Sequence, residues 1–73
     1  MASTVEIIDV ASRARTALAA SPIYVLREIH VEQNGDSLLL LGRVDTFYHK
    51  QLAQEVVRAV ADGLRVVNSV MVD

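Results

Sequence analysis

Four consecutive leucines, Leu38–Leu41, follow an Asn34-Gly35 dipeptide, and this run restricts the possible folds more than any other segment. Asn-Gly tolerates the positive φ angles of tight turns, so the leucines are predicted to lie on the return strand of a β-hairpin. Successive side chains of a strand point to opposite faces, so this strand is apolar on both faces. The predicted core face carries Leu38, Leu40, Gly42 and Val44, and the other face carries Leu39, Leu41 and Arg43.

A helix is predicted before the hairpin. Ser3 and Glu6 form a capping-box pattern, in which each side chain satisfies a backbone N–H of the first turn. Apolar residues then recur at spacings of three and four, and they form a narrow, alanine-rich face. Its members are Ile7, Val10, Ala11, Ala14, Ala17 and Leu18. Ser21-Pro22 is expected to end the helix, because proline disfavours helical geometry in the residue before it.

The segment 24–33 alternates in polarity and predicts a half-buried strand that pairs with the leucine strand. Val25, Ile29 and Val31 share the inward parity, whereas Leu26 has the outward one. Arg27 is an exception among the inward positions. Either the strand begins only after Arg27, or the side-chain stem lies over the sheet edge with its head in water.

A second helix and a third strand complete the predicted elements. Either Asp45 or Thr46 caps the helix, and Asp62-Gly63 ends it. The expected apolar stripe consists of Tyr48, Leu52, Val56 and either Ala59 or Val60. The third strand is predicted over 64–72, with a bulge where two valines precede Asn68. That bulge brings Leu64, Val67, Val70 and Val72 to the core.

These elements predict one domain over residues 1–73, of the α+β class, in the order α-β-β-α-β. The second and third strands are expected to run parallel through a right-handed crossover. The economical architecture is a three-stranded mixed sheet with both helices packed mainly on one face. The alternative, with one helix on each face, leaves no sheet surface open.

The composition does not favour enzymatic, metal or nucleic-acid functions. The chain has no cysteine, and its net charge of −2 does not indicate a basic nucleic-acid surface. His30 and His49 lack a metal-ligand spacing, and Glu28 and Glu32 are about 13 Å apart on an extended strand. We therefore expect a protein that is not an enzyme and has no catalytic, metal or cofactor site.

The N-terminal segment lacks the features of a secretory signal. Acidic and basic residues interrupt every apolar stretch there, and no run approaches the roughly 20 residues that span a bilayer. The expectation is a cytoplasmic protein with no transmembrane segment. A periplasmic location is expected only if a longer precursor was trimmed.

The segment 29–72 resembles the BON domain, a family of small bacterial modules. The resemblance rests on Asn34-Gly35, Gly42-Arg43-Val44 and the closing segment 63–72, in which Val67-Asn68 is the most specific part. One departure is a Gly35-to-Gly42 spacing one residue longer than usual, which a wider turn is expected to absorb. The resemblance implies a non-catalytic module that binds phospholipid membranes or hydrophobic ligands. Many secreted members also have a signal peptide and a tandem second copy, and neither is expected for this chain.

The outward positions predict an interaction surface on the open face of the sheet. Leu26, Leu39 and Leu41, with either Val66 or Met71, are expected to form an apolar patch that charged residues surround. The rim consists of Glu28, Glu32, Arg43 and Arg65. The first hypothesis is a module that self-associates through this patch, as a homodimer or larger oligomer.

A second hypothesis is peripheral binding to phospholipid membranes. Phe47 and Tyr48 are the proposed membrane or partner anchors, with Lys50 and Arg43 as a basic rim. Alternatively, the aromatic residues seal one end of the core. A third hypothesis is a small structural adaptor within a larger complex.

Overall fold

The computed structural model describes residues 9–73, so the predicted Ser3–Glu6 capping box lies outside the described residues. The elements follow the predicted α-β-β-α-β order, and two of the three predicted strands are each divided into two segments. In chain order they are α1 (Val10–Ala19), a 3₁₀ helix (Tyr24–Glu28), β1 (His30–Asn34), β2 (Ser37–Leu41), β3 (Arg43–Val44), α2 (Phe47–Arg58), β4 (Arg65–Asn68) and β5 (Met71–Val72).

Helix α1 has the predicted end, and its four buried residues belong to the predicted face, of which Ala17 is only half-buried and Ile7 lies outside the described residues. Asp9 is its N-cap, and the Asp9 carboxylate accepts a hydrogen bond from the Ser12 backbone N–H at 3.2 Å. The buried side chains are those of Val10, Ala11, Ala14 and Leu18. The helix ends at Ala19, just before Ser21-Pro22.

The prediction of a strand from Tyr24 onward is wrong for its first half. The chain forms a 3₁₀ helix there, and strand β1 begins only at His30. The Ser21 hydroxyl accepts a hydrogen bond from the Ile23 N–H at 3.0 Å, which turns the chain ahead of this helix. Bonds from Leu26 N to Ile23 O and from Ile29 N to Leu26 O follow a three-residue spacing. Apolar residues at that spacing therefore face the core.

The predicted hairpin is present and tight. Strands β1 and β2 are antiparallel, and Asn34 pairs with Ser37 across a two-residue turn. Gly35 has φ of +62°, the positive value that such turns require at their first central position. The expectation of a wider turn is therefore wrong. The strand is interrupted instead at Gly42, where φ is +141° and an added Cβ would lie 3.5 Å from the Ile29 Cα.

The last strand lies parallel to the leucine strand along its whole length, as predicted. Strand β4 pairs with β2, and β5 pairs with β3. Backbone N–H groups of alternate residues donate to the neighbouring strand on both sides of the break between β4 and β5: Arg65 to Asp36, Ser69 to Leu40, Met71 to Gly42 and Asp73 to Val44.

Because the alternation is unbroken, the predicted bulge is wrong. Leu64, Val66, Val70 and Val72 pack against the core, whereas Val67 is exposed. Asn68 shares the inward parity and is half-buried.

Both helices cover the same face of the sheet. Helix α1 packs on β1 and on α2, while α2 packs on β4. Within β2, Leu38 and Leu40 are fully buried, whereas Leu39 and Leu41 on the opposite face keep part of their surface in solvent. Of the two predicted arrangements, the one with an open sheet face is therefore confirmed for residues 9–73.

The predicted apolar stripe of α2 is displaced by one residue. Tyr48 is exposed, and Leu52, Val56 and Val60 are only half-buried, whereas Ala53 and Val57 are fully buried. Ala14 on α1 and Ala53 on α2 are both completely inaccessible, and the two helices pack against each other. The core between the helices thus depends on small side chains.

We expect the Ala14→Leu substitution to destabilise the fold by about 1–3 kcal/mol, because extra methylenes in a filled core force neighbouring groups apart. Urea denaturation followed by circular dichroism measures the free energy of unfolding. The control is Ala19→Leu, an exposed position on the same helix. Equal stability of the two variants would contradict close packing at Ala14.

Candidate functional site

The open face of the sheet carries a row of apolar side chains. Leu39 lies between Glu32 on β1 and Val67 on β4, and Leu41 lies beside His30. Val67 is 38% exposed and Met71, which continues the row on β5, is 58% exposed. We call Leu39, Leu41, Val67 and Met71 the open-face patch. Apolar side chains that share a solvent-facing surface are typical of a binding site.

Leu26, expected on this face, and Val66, expected there as an alternative to Met71, belong to the core instead. Leu26 is only 1% exposed, because it lies on the inward side of the 3₁₀ helix rather than on a strand. Val66 packs against the core through the unbroken alternation of β4. Val67 takes the outward position, and the sequence prediction missed it because it assumed a bulge.

Charged and polar groups surround the open-face patch. Glu32 lies next to Leu39 on β1, at one edge of the sheet, and Arg65 lies on β4, at the other edge. At the end of the patch, the Arg43 guanidinium donates to the Asp73 carboxylate at 2.8 Å. Arg43 therefore belongs to this face and is paired, whereas Lys50 lies on α2. The structure separates these two proposed rim cations.

The aromatic residues at the start of α2 do not seal the core. Phe47 is 73% exposed and Tyr48 is 66% exposed. Tyr24 is exposed as well, and the Arg27 guanidinium lies over its ring at 4.6 Å while donating to the Ser21 carbonyl at 2.8 Å. Phe47 and Tyr48 thus present two neighbouring apolar rings to solvent.

The first turn of α2 is held by Thr46 and by an Asp45–His49 pair. The Thr46 hydroxyl accepts from the His49 backbone N–H at 3.0 Å, so Thr46 is the N-cap. The His49 Nδ1 lies 2.7 Å from the Asp45 carboxylate. This hydrogen bond lowers the pKa of the Asp45 carboxyl below its usual value. These contacts stabilise the turn that carries Phe47 and Tyr48.

Asn68 joins the edge of the sheet to α2. Its Nδ2 donates to the Lys50 carbonyl at 2.9 Å and to Gln54 Oε1 at 3.2 Å. Its Oδ1 accepts from the Val70 backbone N–H at 3.2 Å. One side chain thereby accepts from an amide of the strand edge and adds a second donor to a helix carbonyl.

Beside Asn68, one face of α2 lines a groove of about 330 Å³, to which β4 contributes Asn68. Phe47 lines one end and Arg58 the other, with Lys50 and Glu55 among the residues between them. The sequence prediction did not find this groove, because it depends on how α2 lies across the sheet.

Groups of side chains that could hold a metal ion or catalyse a reaction are scarce in the described part of the chain. Within residues 9–73, no three His, Asp or Glu side chains converge in a way that suits a metal ion. No helix among these residues has the length and apolar character needed to cross a bilayer.

The model of the BON domain family matches residues 9–73. The chain belongs to the BON domain family. The match extends further toward the N-terminus than the resemblance seen in the sequence, because it includes α1. No curated protein matches the chain at a significant level.

Membership identifies the chain as a binding module, since BON domains are a family of non-catalytic binding domains. The expected family is thus confirmed, and so is the α+β fold. The Val67-Asn68 pair has two structural roles in this BON domain. Val67 belongs to the open-face patch, and Asn68 connects β4 to α2.

Replacing Asn68 by alanine is expected to lower the free energy of unfolding by about 1–3 kcal/mol, because the Val70 N–H loses its acceptor and the bonds from β4 to the Lys50 carbonyl and to Gln54 are removed. Chemical denaturation measures this loss. Ser69→Ala is the matched control, since Ser69 is exposed and contributes its backbone N–H to the sheet. A loss below about 0.5 kcal/mol for Asn68→Ala would contradict the assigned role.

Proposed function

We propose that this BON domain is an interaction module that self-associates through its open-face patch. The observation that carries the proposal is the contrast within β2, where Leu38 and Leu40 are fully buried but Leu39 and Leu41 remain partly in solvent. Val67 and Met71 extend the apolar surface across the neighbouring strands. Covering such side chains contributes about 25 cal/mol for each Å² of apolar surface removed from water.

The charges around the patch favour a second copy of the chain as the partner. Glu32 and Arg65 lie on the two strands that flank β2 on opposite sides. A twofold axis parallel to β2 places β1 of one copy over β4 of the other. Glu32 of each copy then lies close to Arg65 of the second copy. The face is therefore self-complementary in charge as well as in apolar character.

The first test is sedimentation of the wild-type chain against Leu39→Glu plus Leu41→Glu. We expect the wild type to be dimeric or larger at tens of micromolar and the variant to be monomeric, because two buried carboxylates oppose association. Met71→Glu is a milder variant at an exposed position and is expected to weaken association as well. Ser12→Glu plus Thr16→Glu adds the same charge on the exposed side of α1 and serves as the control.

A charge exchange tests the twofold arrangement. Glu32→Arg and Arg65→Glu are each expected to weaken the dimer, and the combined variant is expected to restore it. A monomeric wild type at tens of micromolar would refute self-association. A dimer that is insensitive to all of these substitutions would place the contact elsewhere.

A second candidate function is binding to phospholipid surfaces through Phe47 and Tyr48. It is favoured by the exposure of both rings on one helical turn, with Lys50 one turn further on. Aromatic rings of this kind enter the boundary between lipid headgroups and acyl chains, and a nearby ammonium group is attracted to anionic lipid.

Flotation with vesicles of phosphatidylcholine and phosphatidylglycerol tests the lipid candidate. The wild type is expected to co-float at low salt, while Phe47→Ser plus Tyr48→Ser is expected to remain unbound. Val67→Ser removes an exposed apolar side chain from the sheet face and is the control. Failure of the wild type to co-float at low salt would eliminate this candidate.

A further inference from the structure

We propose that the groove between α2 and the edge of β4 binds an extended acidic peptide by strand addition. This site is distinct from the open-face patch, because it lies on the helix-covered side of the sheet, at its edge. The proposal rests on three features: a free strand edge, the unpaired cations of α2 and the spacing between those cations.

Strand β4 has a free edge. It pairs with β2 on one side, and the described residues place no strand on its other side. Arg65 and Ser69 direct their backbone N–H groups to the strand formed by residues 36–44. In a parallel strand the intervening residues direct their backbone groups the opposite way, so Val66 and Asn68 present N–H and C=O groups to the groove side.

The two edges of the sheet are not equivalent. At β1, the Arg15 side chain donates from Nε and Nη2 to the Val31 carbonyl, at 3.2 and 3.0 Å. At β4, Asn68 occupies the Val70 N–H and leaves the backbone groups of Val66 and Asn68 for an added strand. An extended peptide at this edge has β4 on one side and α2 above it.

The groove carries cations that lack a partner among the described residues. Neither Lys50 nor Arg58 pairs with a carboxylate within residues 9–73, where Arg43 pairs with Asp73 and His49 is hydrogen-bonded to Asp45. Glu55 lies between Lys50 and Arg58 in the sequence and accepts a hydrogen bond from Gln51. The groove thus favours carboxylates toward its two cations and a neutral side chain between them.

The spacing of the cations matches the period of a strand. Lys50 and Arg58 are eight residues apart on α2, which is about 12 Å at 1.5 Å per residue. Residues i and i+4 of a strand lie on one face about 13 Å apart. A strand with acidic residues at i and i+4 and a neutral residue at i+2 therefore matches the groove, and Phe47 offers an apolar contact beyond Lys50.

The test uses the 73-residue chain and the peptide TEVTVEV. The peptide is acetylated and amidated at its ends and has glutamates at i and i+4. Calorimetry at low salt is expected to detect binding that weakens about tenfold when both glutamates are replaced by glutamine. Arg58→Glu in the protein is expected to weaken binding by a similar factor. Arg13→Glu, an exposed arginine on α1, is the control and is expected to change affinity less than about twofold.

Amide hydrogen exchange distinguishes strand addition from simple charge attraction. The peptide is expected to slow exchange of the Val66 and Asn68 amides, and N-methylation of alternate peptide residues is expected to abolish both binding and protection. Binding without protection of these amides, or equal binding of the methylated peptide, would overturn the proposal. So would protection by phosphatidylglycerol vesicles but not by the peptide.

Discussion

The parallel pairing between residues 36–44 and residues 65–73 is the constraint on which the rest of this BON domain depends. Backbone hydrogen bonds continue this pairing on both sides of the break in each strand. Their donors are the N–H groups of Arg65, Ser69, Met71 and Asp73. This register fixes which side chains of both strands enter the core. A slip by one residue would bury Arg65 and expose Val66, so the apolar core strongly favours a single register.

The parts of the fold that follow from short-range periodicity were predictable from the sequence. The Asn34-Gly35 dipeptide predicted the hairpin. Because side chains of a strand point alternately to its two faces, the run Leu38–Leu41 also predicted which leucines share a face. The segment from Tyr24 to Glu28 misled the prediction. Its residues satisfy a period of two, but Ile23, Leu26 and Ile29 also satisfy a period of three, which the turn at Ser21 selects.

The site was predictable only where one strand defines it. Leu39 and Leu41 were placed correctly on the outward face because their neighbours had to fill the core. Val67 was not, since its orientation depends on the register with a distant strand. The contacts of Asn68 with Lys50 and of Arg15 with Val31 join residues far apart in the sequence. Such contacts depend on how the helices lie on the sheet, which no local pattern specifies.

The central position of β2 also gives its two pairings different costs in chain entropy. On one side β2 joins β1 through a two-residue turn, so that pairing closes a very short loop and costs little chain entropy. On the other side β2 pairs with β4, and the chain segment between these two strands contains α2 and its connections, so this pairing closes a much longer loop. The hairpin pairing therefore has the smaller loop-closure cost, whereas the parallel pairing is the long-range contact of the sheet. Without the parallel pairing, the backbone groups along one edge of β2 are exposed, and an unpaired strand edge can pair with another chain.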